Sequence, residues 1–191
     1  MSLKHAILGF LSYQALSGYD LKKAFDRSVQ HFWPANQSQI YRTLADLNEE
    51  GLVEHEVIER EERLDMKIYH ITPAGRQELH QWLSEPFHTT DYREPFLIQL
   101  YFGGNISDEE LIEVLKSRVK RIEDRLAELY PAYHVYQQKL KTHEDQRAFF
   151  LNIATLEYGI LNALNLLEWY RSMIARVETG NYTLKDFQIG G

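Results

Sequence analysis

Within the first 84 residues the apolar pattern changes period twice, and that order of periods limits the fold more than any other feature. Leu3, Ile7, Phe10 and Leu11 recur at helical spacing, and Gln14-Ala15-Leu16 ends that helix. Ser17, with Asp20 three residues on, has the pattern of an N-cap opening a second helix, whose inner face is Leu21, Ala24, Phe25 and Val29. Pro34 closes the connection. Asn36 with Gln39 repeats the capping pattern for a third helix that turns Ile40, Leu44 and Leu47 inward, and Gly51 ends it. The period then shortens. "LVEHEVIE" and "MKIYHI" are runs of high β-propensity joined by the charged "REERLD", a hairpin with a long polar tip. Thr72-Pro73 opens a fourth helix expected to carry Leu79, Trp82 and Leu83 inward.

Three helices, a hairpin and a helix make the layout of a winged helix-turn-helix, whose third helix enters the major groove of DNA. The outward face of that helix fits the role. With Ile40, Leu44 and Leu47 in the core, Ser38, Gln39, Arg42 and Ala45 point to solvent and Tyr41 lies on the flank. Side chains of this kind donate and accept hydrogen bonds at base edges and phosphates, and Ala45 allows close approach. The expected DNA contacts are therefore Gln37, Ser38, Gln39, Tyr41 and Arg42, with Arg63 and Lys67 from the wing as secondary candidates.

A net charge of −7, taken as a sum, argues against a nucleic-acid partner, but the charge is unevenly placed. Residues 1–45 hold five Lys or Arg (Lys4, Lys22, Lys23, Arg27, Arg42) against two Asp, whereas residues 46–90 hold four against eleven acids. A basic island therefore precedes an acidic stretch that includes the wing.

These residues also resemble a known family. "SGYDLKKAF", "SQIYRTLADLNEEGLV" and "KIYHITPAGRQEL" are similar to the DNA-binding domain of PadR-type transcriptional regulators. The matches are Gly18-Tyr19-Asp20, Gln39-Ile40-Tyr41, Gly51-Leu52-Val53, and Tyr69 with Ile71, Thr72, Gly75 and Arg76. The resemblance covers about residues 1–85 and implies a homodimeric regulator, usually a repressor, on an inverted-repeat operator. Two departures stand out. Arg42 occupies the position after the tyrosine where the family commonly has Pro, and the wing, usually rich in Arg and Lys, reads "EREERLDMK".

Beyond "SEPFHTTDYREP" the pattern changes, giving expected domains at 1–88 and 89–191. "FLIQLYFGG" is a short helix ended by Gly103-Gly104, and Ser107 with Glu110 caps a longer one. In it Val119, Ile122, Leu126, Leu129, Tyr133, Tyr136 and Leu140 recur every three or four residues, a coiled-coil seam, with Pro131 opposite it and a kink expected near Tyr130. The last helix is apolar over a wider arc: Phe149, Ile153, Leu156, Ile160 and Leu167 on one line, with Phe150, Leu161 and Leu164 beside it. So wide an arc needs cover on more than one side, which points to a second subunit. The expected dimerisation residues are Val119, Ile122, Leu126, Leu129, Ile153, Leu156, Ile160, Leu164 and Leu167. In architecture this half resembles the helical C-terminal domain of longer PadR regulators, similar to that of virulence-gene activators.

Aromatic residues in this half, among them Tyr92, Phe96, Tyr101, Phe102, Trp169 and Tyr170, suit either a packed core or the lining of a site for a flat apolar effector. Catalysis is not indicated. His55-Glu56 and His143-Glu144 each begin a His-Glu-x-x-His metal motif, but Glu59 and Arg147 stand where the second histidine is needed. His31, His70 and His134 show no metal-site spacing, cysteine is absent, and no metal or cofactor is expected. Apolar runs fall short of about 20 residues, so a cytoplasmic protein without a membrane span is expected. The fold class read here is mostly α with a small β-hairpin: a winged helix-turn-helix followed by a helical, coiled-coil-like dimerisation domain. The function read is a regulator that binds double-stranded DNA as a homodimer. Two alternatives are a protein-interaction module that docks a partner through the acidic wing, and a ligand-binding protein without a DNA role.

Overall fold

The computed structural model describes residues 2–30, 32–59, 66–86 and 94–186, in two compact units, Met1–Thr90 and Asp91–Gly191. The expected boundary at 88 falls outside the described residues, as do Arg63, His31 and Tyr92.

In the first unit the elements are α1 (Ser2–Tyr13), β1 (Leu16–Ser17), α2 (Gly18–Arg27), α3 (Gln37–Glu49), β2 (Val53–Ile58), β3 (Met66–Ile71) and α4 (Pro73–Ser84). The caps are those the sequence encodes. Ser17 Oγ accepts from the Asp20 N–H at 3.1 Å, and Thr72 Oγ1 accepts from the Gly75 N–H at 3.1 Å. The expected hairpin is part of a three-stranded antiparallel sheet in the order β1-β3-β2, with Leu16 opposite Tyr69 and Ser17 opposite Ile68. A two-residue strand has no period to read, which is why the sequence pattern hides it.

Ile7, Leu8 and Leu11 from α1, Leu21 and Phe25 from α2, and Ile40, Leu44 and Leu47 from α3 close over Val53 and Tyr69 of the sheet. The stripe that buries α3 in this core is what holds its opposite face outward. Two expectations need correction. Val29 packs against the core but lies in the turn after α2, where its N–H bonds to the Phe25 carbonyl. Leu83 is 67% exposed: α4 is held by Leu79 and by Trp82, which stacks on His5 at 4.4 Å, and Leu83 lies a full turn beyond Leu79 at the C-terminal end of the helix.

The second unit contains α5 (Pro95–Tyr101), a single tight turn (Gly103–Asn105), α6 (Asp108–Leu140) and α7 (Gln146–Thr179). Ser107 and Glu110 close a reciprocal cap at the start of α6, and Gly180 ends α7 at φ +63°. The two long helices run antiparallel, since Tyr136 meets Phe149, Leu126 packs in one cluster with Leu156 and Ile160, and Glu123 pairs with Arg171 at 2.7 Å. α6 is helical throughout, with Pro131 inside it and exposed. By length and composition α7 is sufficient to cross a membrane, but its line Ile153, Leu156, Ile160, Ala163 and Leu167 is buried within this unit.

Candidate nucleic-acid interface

The recognition face starts with the N-terminus of α3. Asn36 Oδ1 accepts from the Gln39 N–H at 2.9 Å, while Gln39 Oε1 accepts from the Asn36 N–H at 2.9 Å, a complete capping box. The cap limits what Gln39 can offer DNA. Its carbonyl oxygen is committed to the cap, so a bidentate contact to adenine through both amide atoms would require breaking it, and the amide NH2 is left as the outward donor. Gln37, Ser38, Gln39, Tyr41, Arg42 and Ala45 are all exposed, and the acids of this helix, Asp46 and Glu49, are confined to its C-terminal end. The first two turns thus present donors, one cation and the positive end of the helix dipole without a competing carboxylate.

Tyr41 is fixed from below. Its ring lies against Gly18 at the start of α2, so that a Cβ at residue 18 would come within 2.5 Å of the ring. Its hydroxyl is directed toward the same helix start, and the ring remains 43% exposed. Tyr69 lies nearby in the sheet, its phenol pushed above the usual range by burial and, secondarily, by the Tyr41 phenol.

The basic island is smaller in space than in sequence. Lys4 bonds to Glu50 at 2.8 Å and Glu78 at 3.2 Å, and Lys22 pairs with Asp26. Burial pulls the Lys4 ammonium down, but its two carboxylate partners outweigh that and hold it above its usual value; Glu78, bonded to Lys4 and His5, is held below the usual carboxylate range. Lys23, Arg27 and Arg42 are the island's exposed cations. Lys23 sits 4.2 Å from the ring centroid of Tyr19, a cation–π contact in the first turns of α2. The sequence reading missed this pair. Its one signal was the spacing of Tyr19 and Lys23, four residues apart on a helix.

On the wing, Lys67 is exposed opposite Val57, while the exposed Glu54 and Glu56 alternate to the other face of the hairpin and Glu59 follows the end of β2. His70 Nε2 lies 3.3 Å from Glu56 Oε1. His55 Nδ1 bonds to Asn48 Oδ1 at 3.0 Å, and no group of three or more metal-binding side chains occurs among the described residues.

Most of the residues expected at a dimer seam take part in packing within one chain. Val119, Ile122, Leu126 and Leu129 of α6 pack against Leu156, Ile160 and Leu167 of α7 within one chain, and Ile153 is buried on the same side of α7. Leu164 is exposed. A second apolar line runs along the far side of α7, where Phe150, Tyr158 and Leu161 are 52%, 71% and 55% exposed. The aromatic residues do not form one lining: Phe96, Trp169 and Tyr170 cluster on Leu115 with the Arg118 guanidinium 4.9 Å from the Phe96 centroid, Tyr136 and Phe149 meet elsewhere along the pair, and Tyr101 is on the surface.

A third helix buried on one face and polar on the other, followed by a two-stranded wing, defines a winged helix-turn-helix DNA-binding protein. Residues 7–81 match the family described as "Transcriptional regulator PadR-like family", and residues 92–178 match "Virulence activator alpha C-term". The chain is 30% identical over 182 residues to the "Negative transcriptional regulator PadR" of Bacillus subtilis, covering 92% of this chain and 97% of that one. The crystal structure of that protein in complex with operator DNA superposes with a TM-score of 0.81 at 28% identity, and its complex with p-coumaric acid with 0.77 at 27%, each over 93% of this chain and 99% of the other. The Vibrio cholerae virulence activator AphA gives 0.77 at 28% identity over the same shares. The chain belongs to the PadR-like family of transcriptional regulators; it is a DNA-binding regulator and not an enzyme.

Proposed function

We propose that the protein is a repressor that binds an inverted-repeat operator as a homodimer and is released by a small aromatic effector. The observation that carries the DNA side is the acid-free, exposed face of the first turns of α3, with Ser38 and Arg42 facing out and the Gln39 amide as an added donor. In this reading Arg42 contacts a guanine edge or a phosphate, Tyr41 donates its hydroxyl to a phosphate, and Lys23, poised on Tyr19, takes a neighbouring phosphate. Lys67 supplies a wing contact that the acids of the wing weaken.

The dimer is assigned to the outer face of α7. Phe150, Tyr158 and Leu161 lie within about 80° of one another around that helix, roughly opposite the line that packs on α6, so a second copy would cover what α6 cannot. The dimer sets the separation of the two α3 helices and so the half-site spacing. The effector reading rests on the related regulator crystallised with p-coumaric acid and on the aromatic content of the second unit. An effector of this kind would act by binding one dimer geometry more tightly than the other.

The test is fluorescence anisotropy against DNA from upstream of the protein's own coding region, beside a scrambled duplex, over a salt series, without and with p-coumaric acid. Preference for the native duplex with a log-log salt slope of several units supports the DNA reading. Equal weak binding to both duplexes at every salt would count against an operator there, and would favour the acidic wing of Glu54, Glu56 and Glu59 as a protein-docking surface.

A further inference from the structure

The turn from α3 into the wing is secured at its root by the main chain. The Leu52 N–H donates to the Leu47 carbonyl at 2.9 Å, the Thr72 N–H to the Leu52 carbonyl at 3.1 Å, and Thr72 Oγ1 to the Gly51 carbonyl at 2.8 Å. These bonds fix where the wing begins, and β1 holds β3 through Leu16–Tyr69 and Ser17–Ile68, while β2 is the edge strand on the far side of β3. Three residues beyond Leu52, about 10 Å along the strand, His55 Nδ1 donates to Asn48 Oδ1 at 3.0 Å. That bond ties the last turn of the recognition helix directly to β2. The imidazole is steadied on its other side by Tyr69, directly opposite in β3, with ring centroids 5.5 Å apart. Tyr69 is itself buried and paired to β1 through Leu16. Lys67 stands opposite Val57, two residues farther out, about 7 Å beyond the bond.

We infer that Asn48 and His55 form a latch that sets the tilt of the wing against the recognition helix, and so act as positioning residues for operator contact. The inference rests on the DNA-binding reading above. Both side chains are half-buried, a setting in which Leu and Phe would pack at least as well. What the polar pair adds is direction: a 3.0 Å bond between two short side chains allows one wing angle, whereas an apolar contact tolerates several. A tilt at the latch is magnified outward, where it moves the Lys67 ammonium off its phosphate while leaving α3 seated.

The experiment is a double-mutant cycle between the latch and Lys67, read as anisotropy on a roughly 30-base-pair duplex, two half-sites with flanks, selected from a random pool by the wild-type protein. His55→Phe keeps the ring against Tyr69 and drops the bond, Asn48→Leu drops it from the other side, and Asn48→Asp restores an acceptor. In the wild-type background Lys67→Ala should weaken binding about fivefold and lower the salt slope by about one. In the His55→Phe or Asn48→Leu background the same substitution should cost less than about twofold, because the contact has already been lost, and Asn48→Asp should recover the wild-type response. Thermal melts of each variant separate this from instability, which lowers binding without changing the Lys67 increment. Equal Lys67→Ala effects in both backgrounds, or none in the wild type, would overturn the latch while leaving DNA binding intact. Failure of the wild-type protein to select any duplex would overturn the DNA reading and the latch with it.

Discussion

Tyr41 of the recognition helix rests on Gly18, the first residue of α2, with no room for a Cβ between them. The contact couples the two helices of the helix-turn-helix, with the Tyr41 hydroxyl over the start of α2 and the residue still 43% exposed. Gly18→Ala would bring a methyl group within 2.5 Å of the ring, forcing Tyr41 or α2 to move. The expected outcome is a destabilisation of about 1–3 kcal/mol together with weaker operator binding, read by urea denaturation and by anisotropy. Removing the ring should relieve the clash, so Gly18→Ala with Tyr41→Ala is expected to be more stable than the sum of the single effects. Strict additivity would show that the two residues do not press on each other in solution.

Arg42 is exposed on the face of α3 that carries no acid in its first turns, and it supports nothing in the core. Arg42→Ala should therefore leave the melting temperature unchanged and cost about 1–3 kcal/mol of operator affinity. The pattern of the loss identifies the partner. Relaxed preference at one base pair means a base edge, whereas uniform weakening with a salt slope lower by about one means a phosphate. Unchanged affinity would remove Arg42 from the interface.

The sequence showed most of the frame, for physical reasons that can be named. Caps and stripes were legible because they use local, periodic signals: Ser17 with Asp20, Asn36 with Gln39, and Ser107 with Glu110 each bond as their spacing implies. Contacts between distant segments left no such trace. The strand Leu16–Ser17 is too short to show a period, and the motif residue Gly75 is explained only by the fold, where a Cβ would run into the Leu52 carbonyl oxygen. Lys4 looked like part of a DNA-facing island because Glu50 and Glu78 are far from it along the chain. The seam on α6 was visible as a period, but a period does not say whether its partner is the same chain. Within this unit α7 provides that partner.

The Lys4–Glu78–His5 group joins α1 to α4 and gives a pH dependence with a definite sign. Hydrogen bonds from Lys4 and His5 hold the Glu78 carboxyl below its ordinary value of 4.5 in the folded protein. A depressed folded-state value stabilises the fold above the unfolded value, and that stabilisation is lost as pH falls below 4.5 and through the folded value. Glu78→Gln should lower stability at pH 7 while narrowing its gap to wild type as the pH is taken below about 4. Because Glu78 is partly exposed, the effect is expected to be modest and to shrink with added salt. Urea denaturation of both proteins from pH 3 to 7 provides the check, and a constant gap across that range would remove this ion group from the account.

Leu161 is 55% exposed on α7, between Tyr158 and Leu164, on the side turned away from α6. A leucine there does not stabilise the helix pair, so Leu161→Glu should leave helicity and the melting of the isolated subunit unchanged. If the outer face of α7 joins two copies, the buried charge should shift the protein toward monomer in sedimentation velocity. The monomer retains α3 and its wing, so it should keep weak, salt-sensitive binding to any duplex while losing preference for two correctly spaced half-sites. By contrast Leu126→Ala, on the face packed against α7, should cost about 2–5 kcal/mol of folding stability before it affects association. A Leu161→Glu protein that sediments as a dimer with operator preference intact would place the subunit contact elsewhere.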